Sequence, residues 1–525
     1  MNKPMKLFWL AIKLTSAMAA VSMTGCRVGP KYQVPPATAQ APPASYQESP
    51  TQFAGSDGWK VAQPQDAMLH GTWWEIYNDP ELNSLEDKLN IDNQNIKQYF
   101  ENFMEARTLI AQARSQLYPT VSVGPSYVRS KSSANIANSS GTSAATTTGT
   151  GTTGTATTTT TGRQSTLESL PFEVSWEPDL WGKVRNTIRE YQYSAQVSAA
   201  DLENERLTEQ ASLAVYFFEL RGQDALQALY NQTVESDQKA LDLTKAQYET
   251  GVGDQISVVE AQNTLQNAQA AATNLGLLRA QYEHAIAVLI GTNPSSFSIP
   301  VRSLDANPPA IPIGVPSQLL ERRPDIAASE RTMASANAQI GVATAAFYPT
   351  LTLEADGGFE SSTFKHLFDL SSSFWSVGPS ASETIFDGGL RRATVNQYIE
   401  TYNADVASYR QTVLTAFQQV EDYLAALRIQ SQQYLQLQAA EKSAQQYVDL
   451  EMGRYQTGID PYANVVMAQL TLLNDRQALA SLKTQEMMSS VQLIAALGGG
   501  WDKTQLPTPA DVSKKLTPAE TTIQK

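Results

Sequence analysis

The chain has 525 residues, 42% of them hydrophobic and only 17% charged, with a net charge of -14. That charge argues against a nucleic-acid partner, and a single cysteine, Cys26, excludes an intramolecular disulfide or a thiolate metal cluster. No run of eighteen apolar residues follows the N-terminal segment, so no helical membrane span is expected and the choice left is a soluble protein or a β-barrel.

Lys3, Lys6 and Lys13 flank or precede an apolar stretch that ends in Met23-Thr24-Gly25-Cys26. Residues 1–25 read as a secretory signal, to be left out of the fold. Small residues directly before the only cysteine resemble a bacterial lipobox, in which the cysteine is lipidated and becomes the new N-terminus. Arg27 follows it, rather than the Asp that favours inner-membrane retention in enteric bacteria. Residues 26–65 carry Pro30, Pro35, Pro36, Pro42 and Pro43, which favours an extended tether. A first repeat is assigned to residues 66–306. It opens on Trp73-Trp74, then Asp79 and Pro80 stand as N-cap and first turn of a helix reaching about Leu89. A second helix, Gln94 to Leu117, stops at Tyr118-Pro119.

After Pro119 the period changes to two. Val121, Val123 and Tyr127 alternate with polar residues, as do Phe172, Val174 and Trp176 beyond a Ser/Thr/Gly tract over 132–165. A β-hairpin over 119–177 follows, with arms of about ten residues, enough to cross an outer membrane at a tilt. The tract itself cannot form a core and reads as a mobile loop. Residues 182–249 are helix-periodic, about 100 Å if unbroken. The chain turns near 251–254 and returns to Ile290, and Gly291 ends that helix. A Pro-rich linker, 307–316, leads into a second repeat over 317–500, with a helix over 317–346, a β-hairpin over 349–385, a long helix and a turn near 458–461. Residues 501–525 form a C-terminal tail.

The two turns are copies of each other. Ala246 to Leu265 and Gly453 to Leu472 share Tyr248/Tyr455, Thr250/Thr457, Gly251/Gly458 and Gln262/Gln469 among their identities. In each a Gly ends one helix and an Asp precedes the next, which reads as C-cap and N-cap. Asp460-Pro461 predicts an especially clear restart, with Pro at the first helical position. Four membrane-length strands cannot close a barrel, since single-chain barrels start at eight, and open edges are not tolerated in lipid. Three chains would give twelve strands, whereas two would give eight, a size whose interior side chains fill.

Several stretches together resemble the TolC superfamily of outer-membrane efflux lipoproteins, OprM/NodT type. They are Cys26-Arg27-Val28-Gly29-Pro30-Lys31-Tyr32, Trp73-Trp74, Leu319-Leu320-Glu321-Arg322-Arg323-Pro324-Asp325-Ile326 and Ala346-Phe347-Tyr348-Pro349. The resemblance implies a mainly α chain with membrane β, assembled as a homotrimer. Its long helical hairpins would form a periplasmic α-barrel, and four strands per chain would share a twelve-stranded barrel. It implies an exit duct in the outer membrane that serves a periplasmic adaptor and an inner-membrane transporter of the RND type. No cofactor is implied beyond the covalent lipid on Cys26. A duct for protein secretion, or a non-conducting structural lipoprotein, would use similar features.

No catalytic constellation is present. His70, His284 and His366 are isolated, and Gly498-Gly499-Gly500 lacks the Lys and Ser/Thr of a phosphate loop. The candidate site is the pair of hairpin tips, which in the resembling family narrow the pore. Aperture candidates are Asp254, Glu260, Arg454, Asp460, Ala463 and Met467; candidates for docking the adaptor are Tyr248, Gly251, Tyr455 and Gly458. Helix capping is an equally open reading of both aspartates, and a left-handed cap is one of both glycines. Ala463 and Met467 stand where related ducts often carry Leu and Asp, so acidity would come from Glu260 in the first copy. In bilayer recordings of a resting channel, Glu260→Ala should weaken cation selectivity and Met467→Ala should not; equal effects would reject the assignment.

Overall fold

The computed structural model describes residues 27–38, 46–48, 71–131, 164–304, 307–309, 311 and 319–514. The signal segment, Cys26, nearly all of the tract 132–165 and residues 312–316 of the linker lie outside them. Two helices come first, α1 (Pro80–Asp92) and α2 (Gln94–Ser115), then strands β1 (Thr120–Val123), β2 (Ser126–Lys131) and β3 (Gln164–Trp176), then α3 (Lys183–Glu249) and α4 (Gln255–Leu289). The second half has α5 (Leu319–Arg322), α6 (Pro324–Ala345), β4 (Thr350–Ser361), β5 (Ser373–Ser382), α7 (Leu390–Gln456) and α8 (Tyr462–Ala496). The repeat is visible in the lengths. Helices α2 and α6 both have 22 residues, α3 and α7 both 67, and α4 and α8 both 35. No helix among the described residues is long and apolar enough to cross a membrane.

Local chemistry explains the boundaries. Asp79 caps α1 by accepting from the N–H groups of Glu81 and Leu82 at 3.0 and 3.3 Å, with Pro80 in the first turn. The single helix expected over 317–346 is corrected to two, α5 and α6. Pro324 supplies no N–H and disfavours helical backbone at Arg323 before it.

The chain divides into two compact units. The first, described by itself, contains an antiparallel sheet of order β1-β3-β4-β5, in which β2 also pairs with β3. The expected first arm of the hairpin is therefore not one strand but two. Gly124 and Pro125 interrupt it, because Pro125 has no N–H to donate and only the Gly124 N–H reaches across, to the Pro171 carbonyl at 3.4 Å. The register does not slip at the break: Val123 faces Phe172 and Ser126 faces Ser169. Alternation thus survives, and directly paired residues share a face. Val121, Val123, Phe172, Val174, Leu353, Ala355, Trp375 and Val377 make one apolar face; Ser122, Glu173, Ser175, Glu354, Asp356 and Ser376 make a polar one. Most of this apolar face is uncovered within one chain, Trp375 being 81% exposed.

The second unit has the main core. Trp73, Trp74, Tyr77, Leu82 and Leu89 pack with Phe217 and Phe218 of α3 and Val491 and Ile494 of α8, all buried. Trp501 is buried against Ala200, Ala327 and Ala328. A buried charge network fastens the segment after α4. Arg221 of α3 donates to Asp224 at 3.0 Å and to the Pro300 carbonyl at 2.6 Å, and it also pairs with Glu81 of α1. Asp224 accepts from Arg279 Nε at 2.7 Å and from the Arg302 N–H at 3.0 Å.

A smaller seam joins the far ends of the hairpins, formed by Ala240 and Leu241 of α3, Ala261 and Leu265 of α4 and Tyr462 and Val465 of α8. Asp237 lies in the same region, 4% exposed, with no hydrogen-bond partner on Oδ2. Burial pushes its carboxyl up from 3.8 to about 6. The titratable groups sharing this region are Tyr462 of α8, Tyr455 of α7 and Glu260 of α4.

Two outcomes follow. Asp224→Ala strands a buried cation and should cost roughly 3–5 kcal/mol, read as a fall of several degrees in apparent melting temperature. Lys239→Ala, which breaks only an exposed pair with Glu235, should leave melting unchanged; equal effects would show that the network does not hold the unit. For Asp237 the folded pKa is raised, so the seam is strongest with the acid protonated. Stability is lost as pH climbs from 3.8 to about 6, by about 3 kcal/mol in all. Asp237→Asn should remove that slope and melt higher than the parent at pH about 7; an unchanged slope would exclude Asp237 as its source.

Candidate functional site

Each hairpin tip is closed by its own backbone. At the first, the Gly251 N–H donates to the Tyr248 carbonyl at 3.0 Å and the Val252 N–H to the Gln247 carbonyl at 2.9 Å. At the second, the Gly458 N–H donates to Tyr455 and the Ile459 N–H to Arg454, both at 2.9 Å. This is the Schellman pattern, which needs a left-handed residue after the helix. Gly251 and Gly458 supply it, both at φ 73°. An added Cβ at either would meet nothing within 4 Å, so the requirement is conformational and not spatial. Thr250 and Thr457 donate back to the carbonyls of Ala246 and Gly453 at 2.9 and 3.0 Å. The shared Thr-Gly of the two copies is accounted for by helix ending.

The restarts differ. Asp254 caps α4, accepting from the Ser257 N–H at 2.9 Å, and hydrogen bonding from the Ser257 side chain, then from its N–H, holds its carboxyl below the usual range. The expected equivalent at the second tip is corrected: Asp460 does not cap α8. Its carboxylate pairs with the Arg454 guanidinium, which lowers its pKa. Pro461, expected in the first turn, is instead the N-cap, with extended backbone at φ -72°, ψ 155° and no side-chain bond. The proline fixes φ there, and the nearby cation competes for the aspartate.

The other candidates fall into two groups. Tyr248, Ala463 and Met467 are exposed, and Glu260 is half-buried. Tyr455 is turned into the seam. Its hydroxyl donates to Gln247 Oε1 of α3, and its ring lies 5.2 Å from that of Tyr462. Tyr462 is pushed up to about 12 by burial, and then by the charges of Asp237, Tyr455 and Glu260. Tyr455 is raised by burial and by the Asp254 charge. Asp254, Tyr455, Tyr462, Asp237 and Glu260 therefore form one electrostatic group across both hairpins, while Arg454 and Asp460 form a local pair. Sequence reasoning passed over Gln247, Asp237 and Tyr462. Gln247 and Tyr462 sit at repeat positions where the copies differ, and Asp237 lies in a polar run with Glu235 and Lys239, next to the buried Ala240 and Leu241.

The tips offer shape and charge but no metal site, since no group of three or more His, Cys, Asp or Glu converges among the described residues. A family model described as outer membrane efflux protein matches residues 87–292 and 315–499. The chain is similar to the antibiotic efflux pump outer membrane protein ArpC of Pseudomonas putida, at 30% identity over 491 residues, 93% of this chain and 95% of that one. It is equally similar to the toluene efflux pump outer membrane protein TtgC of Pseudomonas putida, again 30% over 491 residues with 93% and 95% covered. The solved outer-membrane channel OprN superposes with a TM-score of 0.78 at 25% identity, covering 91% of this chain and 100% of that one. The match spans both halves of the repeat, and the chain belongs to the outer membrane efflux protein family, the TolC-like channels of efflux pumps.

Proposed function

We propose that three copies of this chain form the exit duct of a tripartite pump. The observation that carries the reading is the sheet: one face apolar, the other polar, and both edges unpaired among the described residues. In hydrocarbon such edges must be closed by another chain. The internal repeat supplies the register. Pairing of β3 with β4 inside one chain places Glu173 opposite Asp356. Shifting both strands by the repeat sets Ser380 of β5 opposite Ser126 of the partner subunit. Aromatic contacts support the same closure. Trp181 stacks on Tyr348 at 4.9 Å within the chain, whereas Tyr118, the repeat equivalent of Tyr348, is 69% exposed and Phe386, which follows β5, is 88% exposed.

The polar face would then line an aqueous lumen rich in carboxylates, and the hairpins would extend into the periplasm. Their tips would dock an adaptor and, through it, an RND-type inner-membrane transporter. Tyr248 with the turns at Gly251 and Gly458 would make that contact; Tyr455 would act from within the seam. Glu260, Asp254, Ala463 and Met467 would border the aperture, with Arg454 and Asp460 neutralising each other. Cys26 would carry the lipid. Arg27, next in the chain, lies against Gly182, and the Val28 N–H donates to the Trp181 carbonyl at 3.1 Å, near the residues where β3 ends. An acyl group there would start at the sheet's membrane boundary and anchor without spanning. The relatives' names point to antibiotics and aromatic solvents as cargo.

Purified chains carrying Ser380→Cys and Ser126→Cys together should give a three-chain species on mild oxidation, with either single variant giving none. A product limited to two chains, or no product, would overturn the trimer. Deletion of the chain should raise cellular accumulation of a pump substrate several-fold, restored by the parent protein.

A further inference from the structure

The turn between β4 and β5 differs from the one it parallels in the first half. Residues 132–163 contain no aromatic residue. Residues 362–372 carry Phe364, Phe368 and Leu370, which are 70%, 62% and 90% exposed. The turn is nonetheless built. Two short 3-10 turns shape it, Phe364–His366 and Leu370–Ser372. Ser372 Oγ donates to the His366 carbonyl and Ser373 Oγ to the Leu370 carbonyl, both at 2.7 Å, and His366 Nδ1 lies 2.8 Å from Asp369 Oδ2. Leu367 is buried beneath. A fixed turn that holds its largest apolar side chains outward needs a covering surface.

Phe359 sets the direction in which they lie. It pairs with Leu170 on one side and Ser373 on the other, so it shares the face of Trp375 and Val377. The ring of Phe368 sits 5.9 Å from that of Phe359, edge-on, and Phe364 sits 6.5 Å from Phe368 in the same manner. The aromatic row therefore continues the apolar face past the last rung of the sheet, on the same side.

We propose that residues 362–372 are a membrane-interface anchor that lays Phe364, Phe368 and Leu370 into the outer leaflet of the bilayer. The occupant follows from continuity: the surface these rings extend is the one that meets lipid in an outer-membrane channel, and aromatic rings settle where acyl chains meet headgroups. Exposed Lys365 stands beside Phe364 and suits the anionic phosphates there. The inference rests on the reading of this face as lipid-facing, and its test separates the two.

Spin labels on Phe364→Cys, Phe368→Cys and Leu370→Cys, on Val377→Cys of the apolar face and on Ser376→Cys of the polar face, would be measured in phosphatidylethanolamine/phosphatidylglycerol vesicles. The unmodified chain serves as the labelling blank. Collision with oxygen should exceed collision with a water-soluble nickel chelate several-fold at 364, 368, 370 and 377, and the ratio should invert at 376. Nickel-dominated labels at 364, 368 and 370 with an oxygen-dominated label at 377 would overturn the anchor and leave the lipid-facing sheet standing. Nickel dominance at 377 as well would overturn both.

Discussion

A backbone amide in hydrocarbon has no water to fall back on, and this constraint organises much of the chain. Among the described residues, the antiparallel ladder from β1 to β5 satisfies this constraint along its paired strands, and its two outer strands each keep one unpaired edge. It also explains why the break at Gly124-Pro125 is harmless to the pattern. The interruption removes one donor and keeps the register, so strand positions beyond it keep their side of the sheet, Tyr127 that of Val121 and Val123 and Ser126 that of Ser122. A one-residue slip at that place would have put Tyr127 on the side of Ser122 and Ser126.

Duplication gave two halves with helices of equal length, yet the halves do not do the same work. The tips share their closing hydrogen bonds and differ in how the following helix begins. The first uses a carboxylate cap, Asp254 on Ser257. The second spends its aspartate on Arg454 and begins on Pro461. The tyrosines have diverged as well, Tyr248 facing outward and Tyr455 crossing to Gln247. Contact between the hairpins is therefore asymmetric although the backbones are alike.

Much of this was legible because periodicity reports which face of an element is buried. The long helices, the strand alternation at Val121 and Phe172 and the glycine stops at Gly251, Gly291 and Gly458 all followed from local rules. What escaped was competition between partners and contact between distant segments. Nothing near Asp460 in sequence marks Arg454 as its preferred partner over the helix it precedes. Asp237 looks like a surface acid until Tyr462, far away in the chain, is packed beside it. The network of Arg221, Asp224, Arg279 and Arg302 likewise assembles from separate elements, and each member alone reads as a solvated charge. At Gly124-Pro125 the missing proline N–H interrupts a strand whose alternation in sequence runs straight through it.

The self-closing tips have a consequence for how such a protein changes over time. Because each turn satisfies its helix-ending carbonyls with its own N–H groups and one glycine, the outward side chains around it carry no structural duty. Tyr248, Val252, Ala463 and Met467 can be exchanged without reopening the turn. The hairpin tips are thus a place where folding constrains substitution little, and a handful of exposed positions there can be rewritten on an unchanged frame.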